Sequence, residues 1–228
     1  MITKHTPEND LHAWLREQTR TRHQTLDRSP LLHALLQPGL DQDTYLRCLQ
    51  HLHAAHASTE AWLIGLAGHA PTALPAYQPR LPALREDIQQ LTRHVPGAAC
   101  ETIAPVHASD AASQPKGSPC DGTVPPPWND GVSAYLGIRY VLEGATQGAR
   151  FITARLQKYC PQSLEKSRWY WDHQARMSDH WHALLEYLRT EQRHIEPDAL
   201  LQGANAAFNH FIQVFSTHAH GTDRSCFH

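Results

Sequence analysis

Tyr140-Val141-Leu142-Glu143-Gly144-Ala145-Thr146-Gln147-Gly148-Ala149-Arg150-Phe151 reads as helix, yet it holds two glycines four residues apart. A glycine inside a helix costs about 1 kcal/mol relative to alanine. Residues four apart share a face, so Gly144 and Gly148 leave one strip of this helix bare of side chains. A bare strip serves one of three purposes. It lets a flat or bulky group touch the backbone, it lets the helix bend, or it lets a second helix pack closely. The spacing leaves all three open.

Helical patterning continues on both sides. From Gly131 it runs to about Tyr159 and stops at Cys160-Pro161. Upstream, Leu11 to Leu26 is apolar at Leu11, Trp14, Leu15 and Leu26, with Thr19 and His23 continuing that side. Ser29-Pro30 offers an N-cap and first-turn proline for a short helix through Leu36, which Gln37-Pro38-Gly39 ends. Asp41 to Leu66 is a long helix, Pro71 to Pro82 a connection, and Leu84 to His94 another helix. Downstream, Ser163 to Leu188 and Pro197 to His218 complete the set. β-branched residues are few and no alternating run or repeat occurs. The expectation is an all-α, single-domain multi-helix bundle of seven or eight helices.

One stretch breaks the pattern. Val95 to Asp130 is rich in Pro, Gly, Ala and Ser and contains Pro125-Pro126-Pro127. Such a composition buries little apolar surface. It reads as a flexible surface loop inside one domain spanning 1–228, because neither flank looks self-sufficient. Residues 219–228 read as a disordered tail.

Composition narrows the classes of function. Hydrophobic residues make up 41% and the net charge is −2. That leaves no electrostatic footprint for nucleic acid or an anionic membrane. No apolar run approaches the roughly 18 residues needed to span a bilayer, and Met1 to Asp10 lacks an apolar signal core. A cytoplasmic location is expected. Five cysteines at 48, 100, 120, 160 and 226 contain no C-x-x-C pair, which argues against a disulfide framework or structural zinc. Histidine is abundant, at 18. Abundance alone makes no metal site.

Two histidine–carboxylate pairs stand out. His23 and Asp27 are four apart on the first long helix, so they can meet on one face. A carboxylate on one imidazole nitrogen fixes the tautomer and aims the other nitrogen outward, as in ligation of a metal. Arg16 lies two turns away on the same side, about 10 Å along the axis. The plain alternative is a surface pair. His53, His56 and Glu60 share a face of the second long helix, which suits either a metal site or ordinary polar packing. Glu191 with His194, and Asp179 with His180 and His182, read more simply as amphipathic helix. No phosphate-binding glycine loop, Ser-His-Asp elbow, zinc-protease helix or calcium loop is present.

Together these segments resemble the haem oxygenase (heme oxygenase) family, especially its small bacterial biliverdin-producing members. Leu15-Arg16 through His23 to Asp27 is similar to the family's proximal helix. Arg139-Tyr140 through Glu143-Gly144 to Gly148-Ala149 is similar to its distal helix. His180-Trp181 through Leu188, then Gln202-Gly203-Ala204 through Phe208, is similar to its C-terminal helices. The resemblance covers most of the chain outside 95–130.

The resemblance implies roles. His23 is the expected iron ligand and Asp27 its orienting partner. Gly144 and Gly148 are the expected distal wall, and Arg16 and Tyr140 the propionate partners. Gln147 is expected to influence distal water. Where animal members carry a distal aspartate, this chain has Ala145. The implied reaction is a monooxygenase opening of haem to biliverdin, with release of iron and carbon monoxide. It uses O2 and electrons from a donor such as a ferredoxin or flavoprotein reductase. Haem is then both substrate and cofactor, and a bilin-binding photoreceptor is a candidate acceptor of the product. Two rivals are a haem-binding or haem-sensing protein of the same fold without turnover, and a di-iron or thiaminase-like enzyme on this scaffold. Paired Glu-x-x-His motifs, which di-iron chemistry needs, are missing.

Overall fold

Three aspartates start the three helices that organise the chain. Asp10 accepts from Ala13 N–H at 2.9 Å, Asp41 from Thr44 N–H at 2.6 Å and Asp130 from Ser133 N–H at 3.0 Å. Each satisfies a backbone donor that the first helical turn would leave orphaned. In this computed structural model, which describes residues 10–93 and 127–216, the helices are α1 (Leu11–Asp27), α3 (Gln42–Gly65) and α5 (Gly131–Tyr159). Between and after them come α2 (Pro30–Ala34), α4 (Leu81–Arg93), α6 (Pro161–Lys166), α7 (Trp169–Arg176), α8 (Ser178–Thr190) and α9 (Pro197–Ser216). Gly39, at φ 85°, turns the chain between α2 and α3. No strand occurs among the described residues, and the chain is all-α. The Pro-rich stretch over 95–126 and the tail expected at 219–228 lie outside the described residues.

α5 is the axis of the bundle. Every residue from Ser133 to Glu143 is buried, so this half is enclosed on all sides. α9 packs along it more extensively than any other helix does. The approach is closest at two glycines. A Cβ on Gly137 would overlap the Leu200 carbonyl oxygen, and one on Gly203 would overlap the Ala134 carbonyl. α9 also supports α1 and α3, while α8 leans on α1 and α5.

A second region, formed by α3, α4 and α7, is held by buried polar groups. Glu60 accepts from Arg80 N–H at 2.6 Å and from Tyr77 Oη–H at 3.0 Å. Tyr45 donates to Ser167 O at 2.9 Å and accepts from Trp171 Nε1–H at 3.0 Å. Asp87 receives the N–H groups of Trp169 and Tyr170 at 2.9 and 2.8 Å, capping α7 from a distant part of the chain. Burial raises the Asp87 carboxyl to about 6, against the pull of those two N–H groups.

The expected Ser163–Leu188 helix is in fact three. It breaks at Ser167-Arg168, where Ser167 Oγ–H turns back to Ser163 O and Asp87 supplies the cap. It bends again at Met177. The helix expected from Leu84 begins at Leu81.

Candidate functional site

The bare strip on α5 divides in two. At Gly137, outside the quoted stretch, a side chain is forbidden by helix packing. At Gly144 and Gly148 it is not. A Cβ on Gly144 would rest 3.5 Å from the Trp181 ring, ordinary van der Waals contact, and one on Gly148 would find only Ile152 Cδ1 at 4.0 Å. Close packing of another helix therefore does not explain these two glycines. They also mark a change in environment. α5 is buried up to Glu143, half-buried at Gly144, and exposed at Ala145, Gln147 and Gly148.

α1 runs near this part of α5. Both helices pack on α9, yet α1 and α5 barely touch each other. They meet at Tyr140. Its hydroxyl is hydrogen-bonded to the Thr19 side chain and lies near the Arg16 charge. Burial raises the Tyr140 phenol above its usual value, while Thr19 and Arg16 pull it down. Beside them, His12 stands edge-on to Tyr140 and Trp181 at ring separations of 6.0 and 6.1 Å, and Tyr140 and Trp181 lie 5.3 Å apart. Burial lowers the His12 pKa, with Asp10 opposing. His12, Arg16, Thr19, Tyr140 and Trp181 thus form one polar and aromatic cluster where α1, α5 and α8 meet.

His23 sits two turns beyond Arg16. Its Nδ1 lies 2.9 Å from Asp27 Oδ2, and the side chain is 63% exposed. The hydrogen bond to Asp27 raises the imidazole pKa, with partial burial opposing. The ring rests edge-on against Phe208 of α9 at 5.9 Å. With Nδ1 committed to Asp27, Nε2 is the nitrogen available to a metal. Arg16 is exposed, and Gln147 donates from Nε2 to its neighbour Thr146 Oγ1 at 3.3 Å.

The sequence-predicted residues therefore form two groups. Arg16 and Tyr140 come together, as do His23 and Asp27. No described contact joins His23 directly to Gly144 or Gly148. Sequence reasoning did not single out His12, Thr19 or Trp181 for this cluster, nor Phe208 as the rest for His23. A signal existed for two of them. His12, Arg16, Thr19 and His23 follow the spacing 4, 3, 4, which is one stripe of α1.

Other candidates resolve differently. His53 is 3.4 Å from Arg85 Nε, while His56 Nε2 is 3.3 Å from Tyr170 Oη, so the set His53, His56, Glu60 does not converge. Among the described residues no group of three His, Cys, Asp or Glu side chains could hold a metal ion. Two open surface hollows lie elsewhere, one along α9 at Gln202 and Asn205, the other around α2. No helix among the described residues is long and apolar enough to cross a membrane.

Comparison with known proteins finds relatives over most of the chain. The family model described as "Heme oxygenase" matches residues 9–217. A curated protein named "Heme oxygenase" from Xanthomonas campestris pv. campestris (strain 8004) is 30% identical over 196 residues. The alignment covers 83% of this chain and 99% of that protein. No solved structure matches significantly.

Proposed function

The chain belongs to the haem oxygenase family, and from that premise we propose that it opens haem to biliverdin, releasing iron and carbon monoxide. The match spans both flanks of the Pro-rich stretch, which supports reading the chain as one domain. The observation that carries the proposal is the His23–Asp27 pair. It offers one oriented ring nitrogen on an exposed face of α1, and α5 carries the half-buried Gly144 and the exposed Gly148.

The residues present fit the substrate. Haem is an apolar disc with two anionic arms, and it needs an imidazole on one face, room on the other and a cation at the rim. When bound, it supplies its own iron as the centre at which O2 is reduced. The chain's residues do the rest. His23 binds the iron through Nε2, and Asp27 holds the ring's tautomer. Arg16 and Tyr140 hold the carboxylate arms. Gly148, and Gly144 beneath the Trp181 ring, would place no acid or base side chain over the disc, which favours reaction at the ring edge. Gln147 orders water at the exposed end of that wall. Electrons come from an external donor such as a ferredoxin or flavoprotein reductase.

Titrating the protein with haemin tests this. The expected result is a one-to-one complex with a histidine-ligated spectrum. With O2 and a reductant, the Soret band should then decay as a biliverdin band grows. Tight binding without that conversion would leave a haem carrier instead, and no binding would overturn both readings.

A further inference from the structure

Just below the bare strip, α5 buries a charged pair. Arg139 Nε and Nη2 donate to Glu143 Oε1 at 2.9 and 2.5 Å, and Nη1 donates to Pro75 O at 3.0 Å. Glu143 is wholly buried and Arg139 almost so. Both donors use the same carboxylate oxygen. The other, Oε2, is buried and has no protein hydrogen-bond partner. An unsatisfied buried acceptor costs roughly 1–3 kcal/mol, so it is a demand the fold has to meet.

His180 of α8 points at this carboxylate. Its Nδ1 is 4.0 Å from Glu143 Oε1 and is itself buried with no hydrogen-bond partner. That distance is too long for a direct bond, and it leaves both Nδ1 and the carboxylate's other oxygen, Oε2, without a partner, which one bridging water could serve. The water would accept from Nδ1–H and donate to Oε2, which satisfies both groups at once. The next residue on each helix repeats the encounter. Trp181 lies against Gly144, with its ring also packed on Tyr140 and His12. Two successive residues of α8 thus meet two successive residues of α5.

We propose that Glu143 and His180, joined by one buried water molecule, form a clamp that seats Trp181 against Gly144. His180 is then a positioning residue for the cluster of Trp181, Tyr140 and His12, the floor of the proposed haem site. An aromatic floor limits how deep a tetrapyrrole slides and which edge it presents. A floor held by a buried polar tie keeps one seat, whereas an unheld indole turns and offers several. The clamp belongs to the protein alone, and its effect on seating rests on the haem reading above.

The test compares wild type with His180→Ala, His180→Asn and His180→Gln. In haem-free protein the indole N–H resonance of Trp181, assigned through Trp181→Phe, should be one line. It should broaden or double in His180→Ala. His180→Asn puts an amide nitrogen near the place of Nδ1 and should restore one line, while His180→Gln reaches the wrong position and should not. In haem-loaded protein His180→Ala should release haem on the order of threefold to tenfold faster and scatter the product among more ring-opening isomers, again rescued by asparagine. A single unshifted line in His180→Ala, or asparagine no better than glutamine, overturns the clamp. Should His180→Ala not fold, the asparagine–glutamine contrast decides alone. Wild type that fails to bind haem would sink the haem reading and leave the resonance test standing.

Discussion

His23 with Asp27 and His56 with Glu60 are written with the same four-residue spacing on two long helices, and they end in opposite states. The first pair is exposed, 2.9 Å apart, with the imidazole pKa raised by its aspartate. The second is almost wholly buried and 3.7 Å apart. Burial first, then the charges of Arg80, His53 and His173, push the His56 pKa down to about 3. Glu60 gives its Oε1 to Arg80 and Tyr77 instead, and His56 turns to Tyr170. A histidine enclosed by Tyr170 and Phe211 is building material. One on an exposed face, its Nδ1 held by an aspartate, keeps a nitrogen free to serve as a ligand.

Exchanging substitutions between the pairs should break this contrast if it is wrong. The largest effect is expected from His23→Ala, which should reduce haem turnover by at least about 100-fold and remove the histidine-ligated spectrum. His56→Ala should keep that spectrum in whatever fraction folds. Next comes stability, measured by urea denaturation of haem-free protein. Glu60→Ala strands two buried donors and should cost about 2–4 kcal/mol, whereas the exposed Asp27→Ala should stay within about 0.5 kcal/mol. Equal costs would erase the distinction.

Acid sharpens it further. The unfolded chain protonates a histidine near pH 6.5, while folded His56 stays neutral to about pH 3. Unfolding therefore takes up a proton, and His56 makes the fold less stable as pH falls through that window. His23 has the opposite sign. Its raised pKa adds stability below pH 6.5, and that addition is lost as pH rises through the raised value. Stability curves should accordingly be flattened on the acid side by His56→Gln and not by Asp27→Asn. The smallest effect concerns the loaded protein. Protons compete with iron for His23, so Asp27→Asn should move the acid midpoint of haem release to lower pH in a Soret-monitored titration. A midpoint that stays put would mean that Asp27 does not act on His23.

The helices were legible because apolar periodicity and proline stops lie within a few residues of the elements they define, whereas the one cap read from the sequence, Ser29, makes no side-chain hydrogen bond. The break at Ser167-Arg168 was not, because its cap comes from Asp87, and nothing near residue 167 records that. The same reason divides the site. The His23–Asp27 contact follows from helix geometry alone. The meeting of Arg16 with Tyr140, and of Trp181 with Gly144, depends on how α1, α5 and α8 dock. Gly137 and Gly203 looked unremarkable in the sequence, although they carry the tightest packing in the bundle. Glycines read alike until the neighbour that faces them is known.

That glycine seam assigns mechanical roles to the walls. At Gly137 and Gly203, α5 and α9 meet backbone to backbone, with no side chain at those two points to yield. α1 rests on α9 through side chains such as the His23 ring on Phe208. If His23 takes the iron, any widening that admits a guest would fall to α1 rather than to that seam.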